Sequence, residues 1–130
     1  MVTDPISDMI VRLKNAQLAG LPSVLIPYSQ FKQNIAEVLK TSGYLKSVNK
    51  KGKKVKKFLE VELIYTGSKS KITEIKRVSK PSRRVYHDHR EIKSVRQGFG
   101  LAIYSTPRGI LTDKQAREAK VGGEILFTLY

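Results

Sequence analysis

The chain has 130 residues, 40% hydrophobic and 28% charged, which is the composition of a folded protein rather than of a disordered polyelectrolyte. Its 25 Lys and Arg against 11 Asp and Glu leave a net charge of +14, so a polyanion is the expected partner, nucleic acid ahead of an anionic membrane. The absence of cysteine excludes disulfides, thiolate catalysis and Cys-bound zinc; no apolar run reaches bilayer length and no basic-then-apolar signal pattern is read, so a soluble, intracellular protein is expected.

Asp4-Pro5 opens a first helix, with Asp as N-cap and Pro at the first helical position, where its missing N–H costs nothing. Ile6, Met9, Ile10 and Leu13 then form one apolar stripe, and Gly20 with Pro22 ends the element. Ser23 to Ile26 reads as a short strand. Ser29 caps a second helix on which Phe31, Ile35, Val38 and Leu39 share a face, and Gly43 stops it. Leu45 to Val48 and Phe58 to Tyr65 read as the strands of a hairpin, the second alternating Leu59, Val61, Leu63 and Tyr65 with Glu60 and Glu62.

Between those strands, Lys50 to Lys57 holds six lysines around Gly52 and is expected to be a solvated loop, either a plain hairpin tip or one that brushes phosphates. Thr66-Gly67-Ser68-Lys69-Ser70 has linker composition and sets the expected boundary between residues 1–66 and 67–130. Charge does not follow that boundary, with 11 basic residues up to Thr66 and 14 after it, so no isolated basic tail exists.

In the second half, Ile72 to Val78 has strand composition but spaces its apolar residues by three. Pro81 is expected to keep the basic stretch Lys80 to Arg84 extended, ahead of Val85-Tyr86 and a turn at His87-Asp88-His89-Arg90. Leu101 to Thr106 is a strand, and Pro107-Arg108-Gly109 turns the chain. Thr112 with Gln115 makes a capping box for a helix through about Lys120, which Gly122-Gly123 ends before a final strand from Glu124 to Tyr130. The fold class is α+β: two small α/β domains, the first α-β-α-β-β and the second mainly β with one short helix.

Catalytic constellations are weak. His87 and His89 with Asp88 lack a third strong metal ligand and read as a turn. Gly98-Phe99-Gly100 lacks the third glycine of a dinucleotide loop and precedes a strand rather than a helix. No nucleophile elbow accompanies Ser105, and the carboxylates are scattered, so no enzyme, cofactor or metal is expected.

Nucleic-acid chemistry fits better. The hydroxyls of Ser105 and Thr106 suit base edges and ribose 2′-OH groups, Gly109 lets the backbone approach closely, and Arg108 offers phosphate attraction or stacking. Tyr86, beside Arg83-Arg84, presents either a stacking face or a core ring. Glu124 needs a reason to stand among cations: it accepts from a base amino or 2′-OH group, or it holds Arg108 or a backbone N–H at the strand start.

Over nearly its whole length the chain resembles the bacterial-type family of small-subunit ribosomal protein eight. The resemblance runs through Asp4-Pro5-Ile6-Ser7-Asp8-Met9, Arg12 to Ala16, Ile26 to Ser29, Ser79 to Tyr86, Ser105 to Gly109, Thr112-Asp113, Ala116-Arg117 and Val121 to Glu124. It implies direct, early binding to an irregular helix in the central domain of 16S rRNA, support of platform assembly, contact with neighbouring small-subunit proteins, and repression of the chain's own operon mRNA. It also implies a cytoplasmic protein within the small subunit, monomeric when free.

By the same resemblance, Ser105, Thr106, Pro107, Arg108 and Gly109 form the main RNA-reading loop, with Glu124 beside it and Tyr86 stacking. Thr3, Asp4 and Ser29 would add contacts from the N-terminal domain. Pro107 departs from the family in replacing a serine, and Ser82 in replacing a glycine. Pro107 removes a hydroxyl and an N–H but stiffens the loop; Ser82 is mild unless its turn requires positive φ. The competing expectation is a protein that coats nucleic acid through charge alone.

Overall fold

The structure is a computed structural model describing residues 4–53, 56–67 and 69–130. The chain divides into two compact units, residues 1–72 and 73–130. In the first, α1 (Pro5–Leu18), β1 (Ser23–Pro27), α2 (Gln30–Thr41), β2 (Leu45–Lys53) and β3 (Lys56–Leu63) follow one another, and the strands form an antiparallel sheet in the order β1-β3-β2. The central strand buries Leu59, Val61 and Leu63, while α1 packs beside β1 and α2 beside β2.

Both helices start at the expected caps: Asp4 Oδ1 accepts from the Ser7 N–H at 3.2 Å and Ser29 Oγ from the Lys32 N–H at 3.1 Å. The buried stripe of α1 is Ile6, Met9, Ile10, Leu13 and Ala16. On α2, Ile35, Ala36 and Leu39 are buried, and so is Lys32, whose ammonium escapes isolation by donating to the Pro27 carbonyl at 3.0 Å. Phe31 and Val38 are only half-buried.

The lysine-rich segment is not a loop: residues 50–53 and 56–57 continue the two strands, with Lys50 opposite Leu59 and Lys51 opposite Phe58. Backbone pairing is indifferent to side-chain charge as long as alternate lysines project into water. Two lysines also gain partners, Lys51 with Glu60 at 3.0 Å and Lys50 over the Tyr28 ring at 4.3 Å. The tip residues Lys54 and Val55 lie outside the described residues, as does Ser68.

Tyr65 leaves β3 and begins a two-residue strand, β4 (Tyr65–Thr66), paired with β5 (Lys69–Ser70). The segment with linker composition is therefore a small hairpin, and the Tyr65 hydroxyl fastens it by donating to the Leu21 carbonyl at 2.6 Å.

The second unit contains β6 (Ile75–Arg77), β7 (Tyr86–His87), β8 (Leu101–Thr106), β9 (Gly109–Thr112), α3 (Asp113–Ala119) and β10 (Gly123–Leu129). Strand β10 is central: β8 lies on one side with β9 beyond it, and the other side takes β6 near Leu129 and β7 near Gly123. Ile92, Ala102, Tyr104, Ala116 and Ile125 form a buried core against which Val78, Val85, Leu111 and Val121 pack. Burial of each large aliphatic side chain contributes about 1.5–3 kcal/mol. Among the described residues, three α-helices and antiparallel strands make the chain α+β, as expected.

Strand β9 has no counterpart in the sequence reading. The capping box of α3 is present in both directions, at 3.0 and 3.2 Å. That helix ends where expected, but the residue that stops it is Lys120, in a left-handed φ of 55°, and not Gly122-Gly123. The two glycines answer a different demand. A Cβ on Gly122 would lie 2.4 Å from the His87 carbonyl oxygen, and one on Gly123 would lie 2.3 Å from that of Ser105. They let β10 enter between its neighbours.

Candidate nucleic-acid interface

Pairing across the second sheet brings separate segments into one row. Tyr86 of β7 lies opposite Glu124 of β10, Glu124 opposite Ser105 of β8, and Ser105 opposite Ile110 of β9. Directly paired residues share a pleat face, so an aromatic ring, a carboxylate, a hydroxyl and an aliphatic side chain stand side by side. Residues one step along β7 and β8, His87 and Tyr104, project to the other face, where Tyr104 is buried in the core.

Tyr86 is 65% exposed, which removes the core-packing alternative for this ring. Ser105 and Glu124 are half-buried, and no intramolecular hydrogen bond of the Ser105 hydroxyl occurs among the described residues. Glu124 does have a cationic partner, but it is Arg84 rather than Arg108: the guanidinium donates to the two carboxylate oxygens at 3.1 and 3.4 Å. The partners are 40 residues apart in sequence, a distance at which no local pattern pairs them.

The adjoining turn is organised from within. Thr106 and Gly109 pair, leaving Pro107 and Arg108 at the tip. The Thr106 hydroxyl accepts from the Arg108 N–H at 3.1 Å and donates to the Gly109 carbonyl at 2.8 Å, so its first role is to hold the loop. Pro107 occupies the position whose φ its ring already matches and where no N–H is required. Gly109 takes φ of 103°, a conformation that a side chain would strain. The Arg108 side chain at the tip is exposed.

The basic stretch ahead of Tyr86 is a turn rather than an extended segment: Lys80 and Arg83 exchange backbone hydrogen bonds at 2.9 and 3.0 Å around Pro81-Ser82. Pro81 suits the first central position of such a turn, and Ser82 is not among the residues with positive φ, so the serine is unstrained there. Ser79, which sequence reading did not single out, closes the loop. Its buried hydroxyl accepts from the Val85 N–H at 2.9 Å and donates to the Val85 carbonyl at 3.3 Å. Arg83 and Arg84 are thus held at the strand that presents Tyr86.

Asp4 and Ser29 belong to the first unit, where their side chains cap α1 and α2. Thr3 lies outside the described residues. The two imidazoles have different partners: His87 Nδ1 meets the Tyr104 hydroxyl at 2.8 Å, while His89 Nδ1 lies 3.1 Å from Asp88 Oδ1. Among the described residues no group of three or more His, Cys, Asp or Glu is placed to hold a metal, and no helix is long and apolar enough to cross a membrane.

Tyr104, Asp88 and Tyr130 are among the described groups that depart from their ordinary range. Burial, reinforced by nearby Asp113, pushes the Tyr104 phenol up to about 12. The hydrogen bond from Arg90 holds Asp88 below the usual carboxylate range, and the hydrogen bond to Glu74 raises Tyr130. Tyr104, although hydrogen-bonded to His87, is buried at 2% exposure, while Asp88 and Tyr130 are engaged by Arg90 and Glu74.

The chain is thus a basic α+β protein whose open sheet face bears an aromatic ring, a hydroxyl and an ion-paired carboxylate. Residues 4–130 match the family model of ribosomal protein S8. The chain is 50% identical over 125 residues to the small ribosomal subunit protein uS8 of Mycoplasmopsis agalactiae, covering 96% of this chain and 95% of that one. It is 48% identical over 130 residues to uS8 of Geobacter sulfurreducens, with 99% and 98% covered. Against uS8 of Dictyoglomus thermophilum the identity is 47%, with 96% and 95% covered. The chain belongs to the ribosomal protein S8 family, and is accordingly structural rather than enzymatic.

Proposed function

We propose that this chain is a structural constituent of the small ribosomal subunit that binds the central domain of 16S rRNA directly and supports assembly of the platform among neighbouring small-subunit proteins. The observation that supports RNA binding most strongly is the row Tyr86, Glu124 and Ser105 beside the internally braced 106–109 turn. Tyr86 supplies a face for an unstacked base, and the Ser105 hydroxyl can donate to or accept from a base edge or 2′-OH. Glu124, with one side engaged by Arg84, keeps lone pairs for a donor on the RNA. Arg83, Arg84 and Arg108 supply phosphate attraction, while Asp4 and Ser29 add contacts from the other unit beyond their work as caps.

The uS8 relatives, named as small-subunit proteins, support the ribosomal location. A free monomer is proposed, and an mRNA of the chain's own operon with a similar irregular helix would occupy the same surface.

Competition binding tests the reading against coating by charge alone. A specific reader holds its preference for a central-domain rRNA fragment over duplex DNA as salt rises; a coating protein loses both together. Loss of both in parallel would refute the proposal.

A further inference from the structure

Strand β7 is only two residues long and meets β10 at two paired positions, Gly123 with His87 and Glu124 with Tyr86. Even with the Ile125 N–H donating to the Val85 carbonyl at 3.0 Å, so short a strand has a small ladder to resist fraying, yet it presents the ring of the row. On the opposite pleat face, next to Tyr86 in the chain, the His87 imidazole reaches the Tyr104 hydroxyl at 2.8 Å, with ring centroids 5.9 Å apart. Tyr104 is itself fixed: it is 2% exposed, sits in the core with Ile92, Ala102, Ala116 and Ile125, and lies in the middle of β8.

We infer that the Tyr104–His87 hydrogen bond is a positioning device for RNA recognition, anchoring β7 from the packed face so that Tyr86 stands in fixed register with Glu124 and Ser105 on the open face. This rests on the proposed RNA-binding role of the row. A buried phenol must find a partner, and this one finds it on β7, beyond β10, rather than within β8. The bond spans β7 and β8 across β10, the strand that carries Glu124. It therefore ties both flanks of the carboxylate together. Gly122 cooperates, since any side chain there would collide with the His87 carbonyl and push β7 away. The gain is preorganisation: a stacking ring already held in place loses less freedom on binding than one on a frayed strand.

The test uses a central-domain rRNA fragment and the full chain. Tyr104→Phe removes one oxygen and leaves the core filled, and His87→Ala removes the imidazole partner. Both should weaken RNA binding roughly fivefold, the loss of one neutral hydrogen bond. His87→Asn, whose amide oxygen falls about where Nδ1 stood, should restore affinity. On a Tyr86→Ala background, Tyr104→Phe should add no further loss.

Amide hydrogen exchange at His87 and at Ile125, whose N–H donates to the Val85 carbonyl at 3.0 Å, supplies a reading without RNA, and should quicken in Tyr104→Phe and His87→Ala but not in His87→Asn. Unchanged exchange in Tyr104→Phe would overturn the anchor, whatever the RNA result. Equal losses from Tyr104→Phe with and without Tyr86 would reduce the pair to general stability and overturn the positioning role. If Tyr86→Ala binds RNA as tightly as the native chain while exchange quickens in Tyr104→Phe, the stacking role fails and the positioning inference falls with it, although the anchor itself is real.

Discussion

The Arg84 guanidinium is hydrogen-bonded to the Glu124 carboxylate at 3.1 Å, with Arg84 56% exposed and Glu124 only 13%. The cation stands toward water and the anion is tucked beneath it. Such a half-wet pair adds at most ~1 kcal/mol to folding. Its larger effect is electrostatic, because it lets a carboxylate persist beside Arg83 and Arg84 in a chain of net charge +14.

Glu124→Gln should therefore shift a urea melt by less than ~1 kcal/mol. Selectivity should change more. By analogy with base readout at ~1–3 kcal/mol per well-made contact, the preference for the central-domain fragment over duplex DNA should fall at least about fivefold. Competition titration checks this. A melt that moves strongly while preference holds would make Glu124 purely structural.

Gly123→Ala places a Cβ 2.3 Å from the Ser105 carbonyl oxygen, which is backbone and cannot swing aside. Expected destabilisation is about 1–3 kcal/mol, the usual cost of overpacking, with loss of RNA binding as the row opens. Gly109→Ala is the informative comparison, since nothing lies within 4 Å of its added Cβ and only its φ of 103° resists substitution. Paired thermal melts should rank Gly123→Ala as the more damaging.

Lys56 and Lys57 lie on the exposed hairpin arm of the first unit. Replacing either with Ala should weaken every polyanion to a similar degree and reduce the slope of log affinity against log salt by roughly 0.7–0.9. Ser105→Ala should instead weaken the cognate fragment selectively. Filter binding across a salt series separates the two behaviours, and matching profiles would argue against Ser105 as a reader.

Tyr104 predicts an alkaline transition. Its phenol ionises at about 12 in the folded chain against an ordinary value of 10.0, so the folded state holds the proton more tightly. The resulting stability is complete below pH 10 and is lost as pH rises toward 12. Absorbance titration should show a late-ionising component that loses one tyrosine in Tyr104→Phe, and that variant's denaturation midpoint should fall less steeply over the same interval.

Much of the local structure was legible because the interactions that set it span only a few residues. Asp4-Pro5, Ser29 and Thr112 with Gln115 mark helix starts through side-chain bonds to the next turn, and Leu101 to Thr106 has the composition of its strand. The lysine run from Lys50 reads as a solvated loop by its charge, yet it is strand, because the ladder propagates through the backbone regardless of side-chain charge. Strand β9 was invisible because Gly109 to Thr112 is short and acquires its identity from β8.

The sequence by itself determined the basic charge, the helix caps, the turn at Pro107 and the resemblance that named Ser105, Glu124 and Tyr86. Tertiary structure decided that Tyr86, Glu124 and Ser105 share one row, that Arg84 is the partner of Glu124, and that His87 meets Tyr104. The physical reason is register. Pairing of distant strands depends on burying a common core, and a shift of one residue would turn every side chain of the row to the other face.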